Sequence, residues 1–311
     1  MDRSRMAAAY IAAFFLALTL AGWYLAGELE RQELENRFHA RAAEIPLRIE
    51  SRLSGYEQVL RGSAGFLSAS DVVTRAEWRN YIASLRLNER YPGIQGVGFA
   101  RRVRPEDLPA HTAAMRAEGF PEYRLWPAGT RDEYTAIVYL EPFSGRNARV
   151  LGYDMYSDPV RREAMAQARD TGRTTITRKV VLLQETDADR QPGFLMYAPH
   201  YTTGRSMATA ENRKSALAGY VYAPFRMNDF IGGALGDHYR DLGIAVFDGT
   251  EQTPGALLHD KTAPDNGKEN HLIENLEKDI RAYESTVNEQ REKVYTLYEQ
   301  SISRLNHLKY H

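Results

Sequence analysis

The chain has 311 residues, 43% of them hydrophobic and 26% charged, and a formal net charge of −1. This globular composition excludes a wholly disordered or fibrous chain and gives no electrostatic footprint for nucleic acid. The absence of cysteine removes disulfides, thiolate metal sites, iron–sulfur clusters and cysteine nucleophiles together.

Residues 6–26 (MAAAYIAAFFLALTLAGWYLA) carry no charge. A helix rises about 1.5 Å per residue, so about 20 residues cross the roughly 30 Å hydrocarbon core. Arg3 and Arg5 precede this run and Glu28 and Glu30 follow it. Positive charge stays inside, so the expected arrangement is a cytoplasmic N-terminus, an uncleaved membrane anchor, and an exported remainder. A cleaved signal peptide fits less well, because Tyr24 occupies the small-residue position two before Ala26.

Residues 27–67 read as a long stalk helix. Leu29, Phe38, Ala42, Ile45, Ile49, Leu53, Tyr56 and Leu60 recur at threes and fours, with charged residues between them. Pro46 is expected to kink or restart this helix. Thr74 and Glu77 have capping-box spacing and open a further helix. The Tyr91-Pro92-Gly93 turn leads to a strand over residues 94–100. Residues 134–140 (YTAIVYL) form a β-prone run. A helix is expected over 159–171, with Asp158 as its N-cap and Gly172 just past its end. Strands over 180–184, 194–201 and 216–222, a short helix over 227–235 and a strand over 242–248 complete the folded part. Short links between strands indicate antiparallel sheets with helices packed on them, an α+β class.

The tail differs in composition. Residues 1–260 hold 2 lysines and 30 arginines, whereas residues 261–311 hold 5 and 3. The tail reads as a linker and a helix of separate origin. Ile280, Val287 and Val294 are seven apart, as in a coiled coil.

No catalytic arrangement emerges. The histidines are scattered; His307 and His311 are four apart, but at the very end of the chain. Gly93, Gly96 and Gly98 lie within a strand and open no helix, so they form no phosphate loop. Asp187-x-Asp189 reads better as a solvated loop than as a cation site. No residue pairs a nucleophile with a base, and no catalytic residue, metal site or cofactor is assigned. Trp126, Tyr134, Tyr139, Tyr153, Tyr156, Arg161, Arg162 and Tyr197 are residue types suited to lining a polar ligand pocket, and equally to ordinary core packing.

The run from Tyr91 to Tyr201 resembles the CHASE domain, the extracellular sensor of cytokinin receptors and of many bacterial transmembrane signalling proteins. The matching pieces, in order, are Tyr91 to Ala100, Glu133-Tyr134, Leu151-Gly152-Tyr153-Asp154-Met155, Asp158-Pro159 with Arg161-Arg162, Ala168 to Gly172, Leu182 to Glu185, and Gly193-Phe194 through Pro199-His200-Tyr201. The resemblance implies tandem PAS-like subdomains after the stalk, with the ligand in the membrane-distal one. The expected divisions are 1–26 (cytoplasmic N-terminus and anchor), 27–90 (stalk and following helix), 91–205 (membrane-distal part), 206–260 (membrane-proximal part) and 261–311 (linker and tail). It also implies a homodimer, anchored once in a bacterial inner membrane, whose ligand-binding part is periplasmic.

The resemblance assigns the ligand site to Tyr134, Met155, Arg161, Thr177, Leu183 and Tyr197. Plant members hold an adenine ring with a side-chain aspartate where this chain has Arg161. Arginine only donates hydrogen bonds. The departure therefore points away from cytokinin and toward a ligand bearing a carboxylate, phosphate or other acceptor. The alternative is that Arg161 meets solvent or pairs with Glu163 or Asp158. Rival readings are a Cache-type chemosensory domain, a structural ectodomain without ligand, and an exported enzyme.

Overall fold

The computed structural model describes residues 3–185, 190–239 and 241–261, without the side chains of residues 3–10, 12, 13 and 238. The chain divides into Met1–Lys261 and Thr262–His311. The second unit lies outside the described residues, and with it the expected tail helix, its heptad spacing and the His307/His311 pair. Asp187 and Asp189 lie outside them as well.

The first element is a helix of 66 residues, α1 (Arg3–Ser68). It passes through Pro46 without a break. A proline inside a helix removes one hydrogen bond and costs about 3 kcal/mol. Ile45, Ile49 and Leu53 on either side pack against the core and offset that cost. Among the described residues no helix is long and apolar enough to cross a membrane. The run at 6–26 falls partly on side chains outside the description.

After α1 come α2 (Arg75–Ser84), with the Thr74/Glu77 capping box formed in both directions, and α3 (Leu87–Arg90). β1 (Val97–Val103) follows, three residues later than the glycine pattern suggested. Then come α4 (Leu108–Ala117), β2 (Tyr134–Glu141), α5 (Pro159–Thr171), β3 (Thr175–Ile176), β4 (Val180–Val181) and β5 (Pro192–Tyr201). The chain continues through α6 (Ala210–Ala216), β6 (Leu217–Arg226), α7 (Met227–Leu235), β7 (Ile244–Phe247) and β8 (Leu257–Lys261). The helices α4 and α6 and the strand β8 were not anticipated individually.

One antiparallel sheet runs β2-β1-β6-β5-β3, with β4 also paired to β5. A separate pair joins β7 to β8. The boundary expected at residue 205 falls between β5 and β6, which are neighbours in the main sheet.

Period-2 alternation divides the sheet's two faces. Val221, Ala223 and Phe225 of β6 and Phe194, Met196 and Ala198 of β5 face a core shared with Tyr56, Leu60, Trp78 and Phe230 from α1, α2 and α7. Tyr220 and Tyr222 of β6 and Leu195 and Tyr197 of β5 face the opposite way. They meet Ala164, Met165 and Ala168 of α5 in a second core. A register shift opposite the Phe99/Ala100 step leaves Val138 as an extra residue in β2, so Val138 and Tyr139 both face the first core while Ile137 and Leu140 face the second.

Candidate functional site

α5 begins as its sequence directs. Asp158 accepts a hydrogen bond from the Arg161 backbone N–H at 3.0 Å, and Pro159 occupies the first helical position. Gly172 closes the helix at φ +71°, a conformation that glycine adopts without steric cost. The buried positions are Arg161, Ala164, Met165 and Ala168. That spacing of three and four is a helix's inward stripe, so the arginine points into the protein.

Arg161 is 3% exposed. Its Nη1 donates to the Tyr153 hydroxyl and to Asp158 Oδ2, both at 3.0 Å, and its Nη2 donates to the Val181 carbonyl at 3.2 Å. Its guanidinium also lies over the Tyr153 ring, 5.3 Å from the centroid. Of the two partners anticipated for it, Asp158 is the one used. Its Nε has no hydrogen-bond partner among the described residues.

Three tyrosines face α5 from the sheet. Tyr197 is fully buried and its hydroxyl reaches only the sulfur of Met155, at 3.4 Å. Tyr222 lies beside it, with ring centroids 6.3 Å apart, and its buried hydroxyl has no partner among the described residues. Tyr220 sits 3.5 Å, oxygen to oxygen, from Tyr156, which also accepts from Arg169 at 3.3 Å. Burial pushes the hydroxyls of Tyr197, Tyr220 and Tyr222 well above the usual phenol range, so they remain neutral O–H groups. A buried hydroxyl without a partner costs about 1–3 kcal/mol.

The other assigned residues divide. Met155 and Tyr197 belong to the α5-side core, and the partly buried Leu183 packs against it. Thr177 is buried at its rim, where its Oγ1 accepts from the Leu195 N–H at 3.0 Å and extends the β3–β5 pairing. Tyr134 stands apart, in a small cluster with Val103 and Ala136, and its hydroxyl donates to the Gly129 carbonyl at 3.0 Å. Tyr220 and Tyr222 went unassigned. Their signal was the Tyr220-Val221-Tyr222 alternation, which puts both rings on one face of a strand.

The buried Asp154 accepts from the Thr135 and Tyr156 N–H groups at 2.8 and 3.1 Å, pinning the segment before α5 to β2. Burial holds its carboxyl above the usual range. A cleft of about 790 Å³ opens elsewhere, beside Arg75, Arg101, His111, Met115 and Glu118. Among the described residues no group of three or more His, Asp or Glu is placed to hold a metal ion.

The main sheet is thus covered on both faces, with an arginine and several tyrosine hydroxyls enclosed between it and α5. The CHASE domain profile matches residues 71–259, and the chain belongs to the CHASE domain family of extracellular sensors in signal transduction. Among curated proteins it is similar to hybrid signal transduction histidine kinase A of Dictyostelium discoideum. That match is 26% identical over 183 residues, 54% of this chain and 8% of that protein. It is also similar to probable histidine kinase 4 of Oryza sativa subsp. japonica, at 24% identity over 59% of this chain and 18% of that protein. The chain thus spans less than a fifth of either relative. The matched family is a sensor module, not a catalytic domain, although these relatives as whole proteins are kinases. Among solved structures it is similar to the ligand-binding domain of the Pseudomonas aeruginosa amino acid chemoreceptor PctC, in complex with GABA. The TM-score is 0.43 and the identity 13%, over 76% of this chain and 83% of that one.

Proposed function

We propose that this chain is the extracytoplasmic part of a membrane-anchored receptor, that it binds a small molecule between α5 and the main sheet, and that it passes the event to its stalk as a dimer. The observation that carries this reading is Arg161, a cation buried to 3% exposure beside tyrosine hydroxyls. An apolar side chain there would pack at lower cost, since burying a charge is expensive even when it is paired. The uncharged run at 6–26, with arginines before and glutamates after, supports a single anchor and a periplasmic location. The single main sheet and the smaller β7–β8 pair support two unequal PAS-like parts. The α5-side core is filled by side chains, so a ligand would enter by displacing them. A ligand shifts such an equilibrium only through its differential affinity for the two states.

The reading is tested by a thermal-shift screen of the full chain and Arg161→Ala, with adenine derivatives beside small carboxylates and phosphates. A ligand at 100 times its Kd stabilises by about 2.7 kcal/mol. An anionic hit that Arg161→Ala abolishes is the expected result. An adenine hit insensitive to the substitution would remove Arg161 from the site, and a screen without any hit would favour a structural ectodomain.

A further inference from the structure

We infer that the ligand's recognised group is a single carboxylate taken on the open edge of Arg161, and that it shares the guanidinium's charge with Asp158. This inference rests on the proposal that α5 covers the ligand site. Arg161 has five N–H donors. Two on Nη1 go to Tyr153 and Asp158, and one on Nη2 goes to the Val181 carbonyl. Among the described residues Nη2 makes this one hydrogen bond, and Nε has no partner. Nε and Nη2 form the side edge of the guanidinium, the edge that takes a carboxylate with one oxygen on each nitrogen.

The Tyr222 hydroxyl is a second enclosed donor without an acceptor. Its ring lies beside that of Tyr197, whose hydroxyl reaches only a sulfur among the described residues. These unfilled donors call for an acceptor, and the Nε–Nη2 edge suits the two oxygens of one carboxylate. A phosphate dianion would need a second cation, whereas Arg161's partners are a tyrosine, an aspartate and a carbonyl.

Asp158 already supplies one carboxylate. Its Oδ1 caps α5 and its Oδ2 reaches Nη1 at 3.0 Å. It keeps 29% of its side-chain exposure, so it has solvent to turn toward when displaced. An arriving carboxylate takes the open Nε–Nη2 edge while Asp158 sits on Nη1, so two negative charges share one guanidinium, and their repulsion loosens the tie between the arginine and the first turn of α5. Ligand selectivity and the signal at α5 share one ion pair.

The test uses two variants of the full chain. Asp158→Asn keeps the helix cap, since asparagine caps as well as aspartate, but removes the competing charge. Tyr222→Phe removes one unfilled donor. The probes are acetate, succinate, benzoate and 4-aminobutyrate, beside acetamide, succinamide and benzamide as uncharged counterparts. Binding is read by thermal shift and isothermal titration. In Asp158→Asn we expect a lower Tm without probe and a carboxylate Kd at least fivefold tighter. In Tyr222→Phe we expect a Tm about 2–4 °C higher without probe and carboxylate binding at least fivefold weaker. Amides that bind as well as acids, or carboxylate binding unchanged in both variants, overturn this inference and leave the sensor reading standing. If neither acids nor amides stabilise any variant, both fall.

Discussion

Arg161, Ala164, Met165 and Ala168 share the inward stripe of one helix, and only the first is polar. That stripe was legible in the spacing, and so was the aspartate cap. Asp158, on the same turn, was one of the two partners the spacing offered; what could not be read were Tyr153 and Val181, which arrive from other elements. The hydroxyls of Tyr197 and Tyr222 face the same difficulty: alternation gives their side of the strand but not whether an acceptor stands opposite. At this scale His111 gives a pH prediction. Its Nε2 lies 2.8 Å from the Tyr123 hydroxyl, and burial, with Arg101 nearby, lowers its pKa from 6.5 to about 4. Above pH 6.5 the ring is neutral in both folded and unfolded chains. As pH falls from 6.5 toward 4 only the unfolded chain takes up the proton, and stability is lost by at most about 1.4 kcal/mol per pH unit. In His111→Gln, Tm measured between pH 7.5 and 5 should fall less steeply than in the parent. Parallel curves would mean that other groups set the slope.

At the scale of elements, β1 and β6 meet where Gly98 pairs with Tyr222. A Cβ at residue 98 would stand 2.5 Å from the Tyr139 carbonyl oxygen and 2.5 Å from the Tyr222 ring. The glycine therefore makes room for the ring that carries the unfilled hydroxyl. Gly98→Ala should cost about 3 kcal/mol, since the conflict is with backbone as well as ring. Denaturant unfolding checks this, and a change under 1 kcal/mol would mean the strands can part without penalty. The glycines at 96 and 98 identified the strand, but they also hid its register, because a strand without side chains has no alternation to read. α5 and α7 were found at their observed limits, each marked by an apolar stripe and, for α5, two terminal signals. The helices α4 and α6 lack so clean a stripe, each with one buried residue, and β8 takes its place only through pairing with β7.

Across the whole molecule, the loop after β4 is fastened to β6 and α7. Arg226 grips Glu185 at 2.8 and 3.2 Å and Asp229 at 3.2 Å, and Gln95 donates to Asp229 at 3.1 Å. Glu185 and Arg226 are 3% and 7% exposed at the side chain. Removing Glu185 takes away the two-point carboxylate contact of a buried arginine and leaves it Asp229, so Glu185→Ala should lower stability by about 2–3 kcal/mol, seen as a lower urea midpoint. A midpoint within error of the parent would show that the remaining partners hold Arg226 unaided. Local pattern anticipated β1, β2, β4, β5 and β6 of the main sheet but not β3, nor that β6 would sit between β1 and β5, because strand order is settled by long-range pairing that no local pattern encodes. β6 ends at Arg226 and α7 starts at Met227, with no residue between them. Such a strand has no slack: sliding by one residue would turn every side chain to the other face. In the proposed receptor a response would then be a rigid tilt, with α1 and α7 joined where Arg52 donates to the Gly233 carbonyl at 2.9 Å. On α1 the ion pair of Arg41 with Asp241 ties the helix to the body, and residues 3–40 extend about 57 Å before it. Over such a lever arm a tilt of about one degree at the body becomes about 1 Å of travel at the far end. In the proposed receptor the length of α1 would then act as mechanical gain.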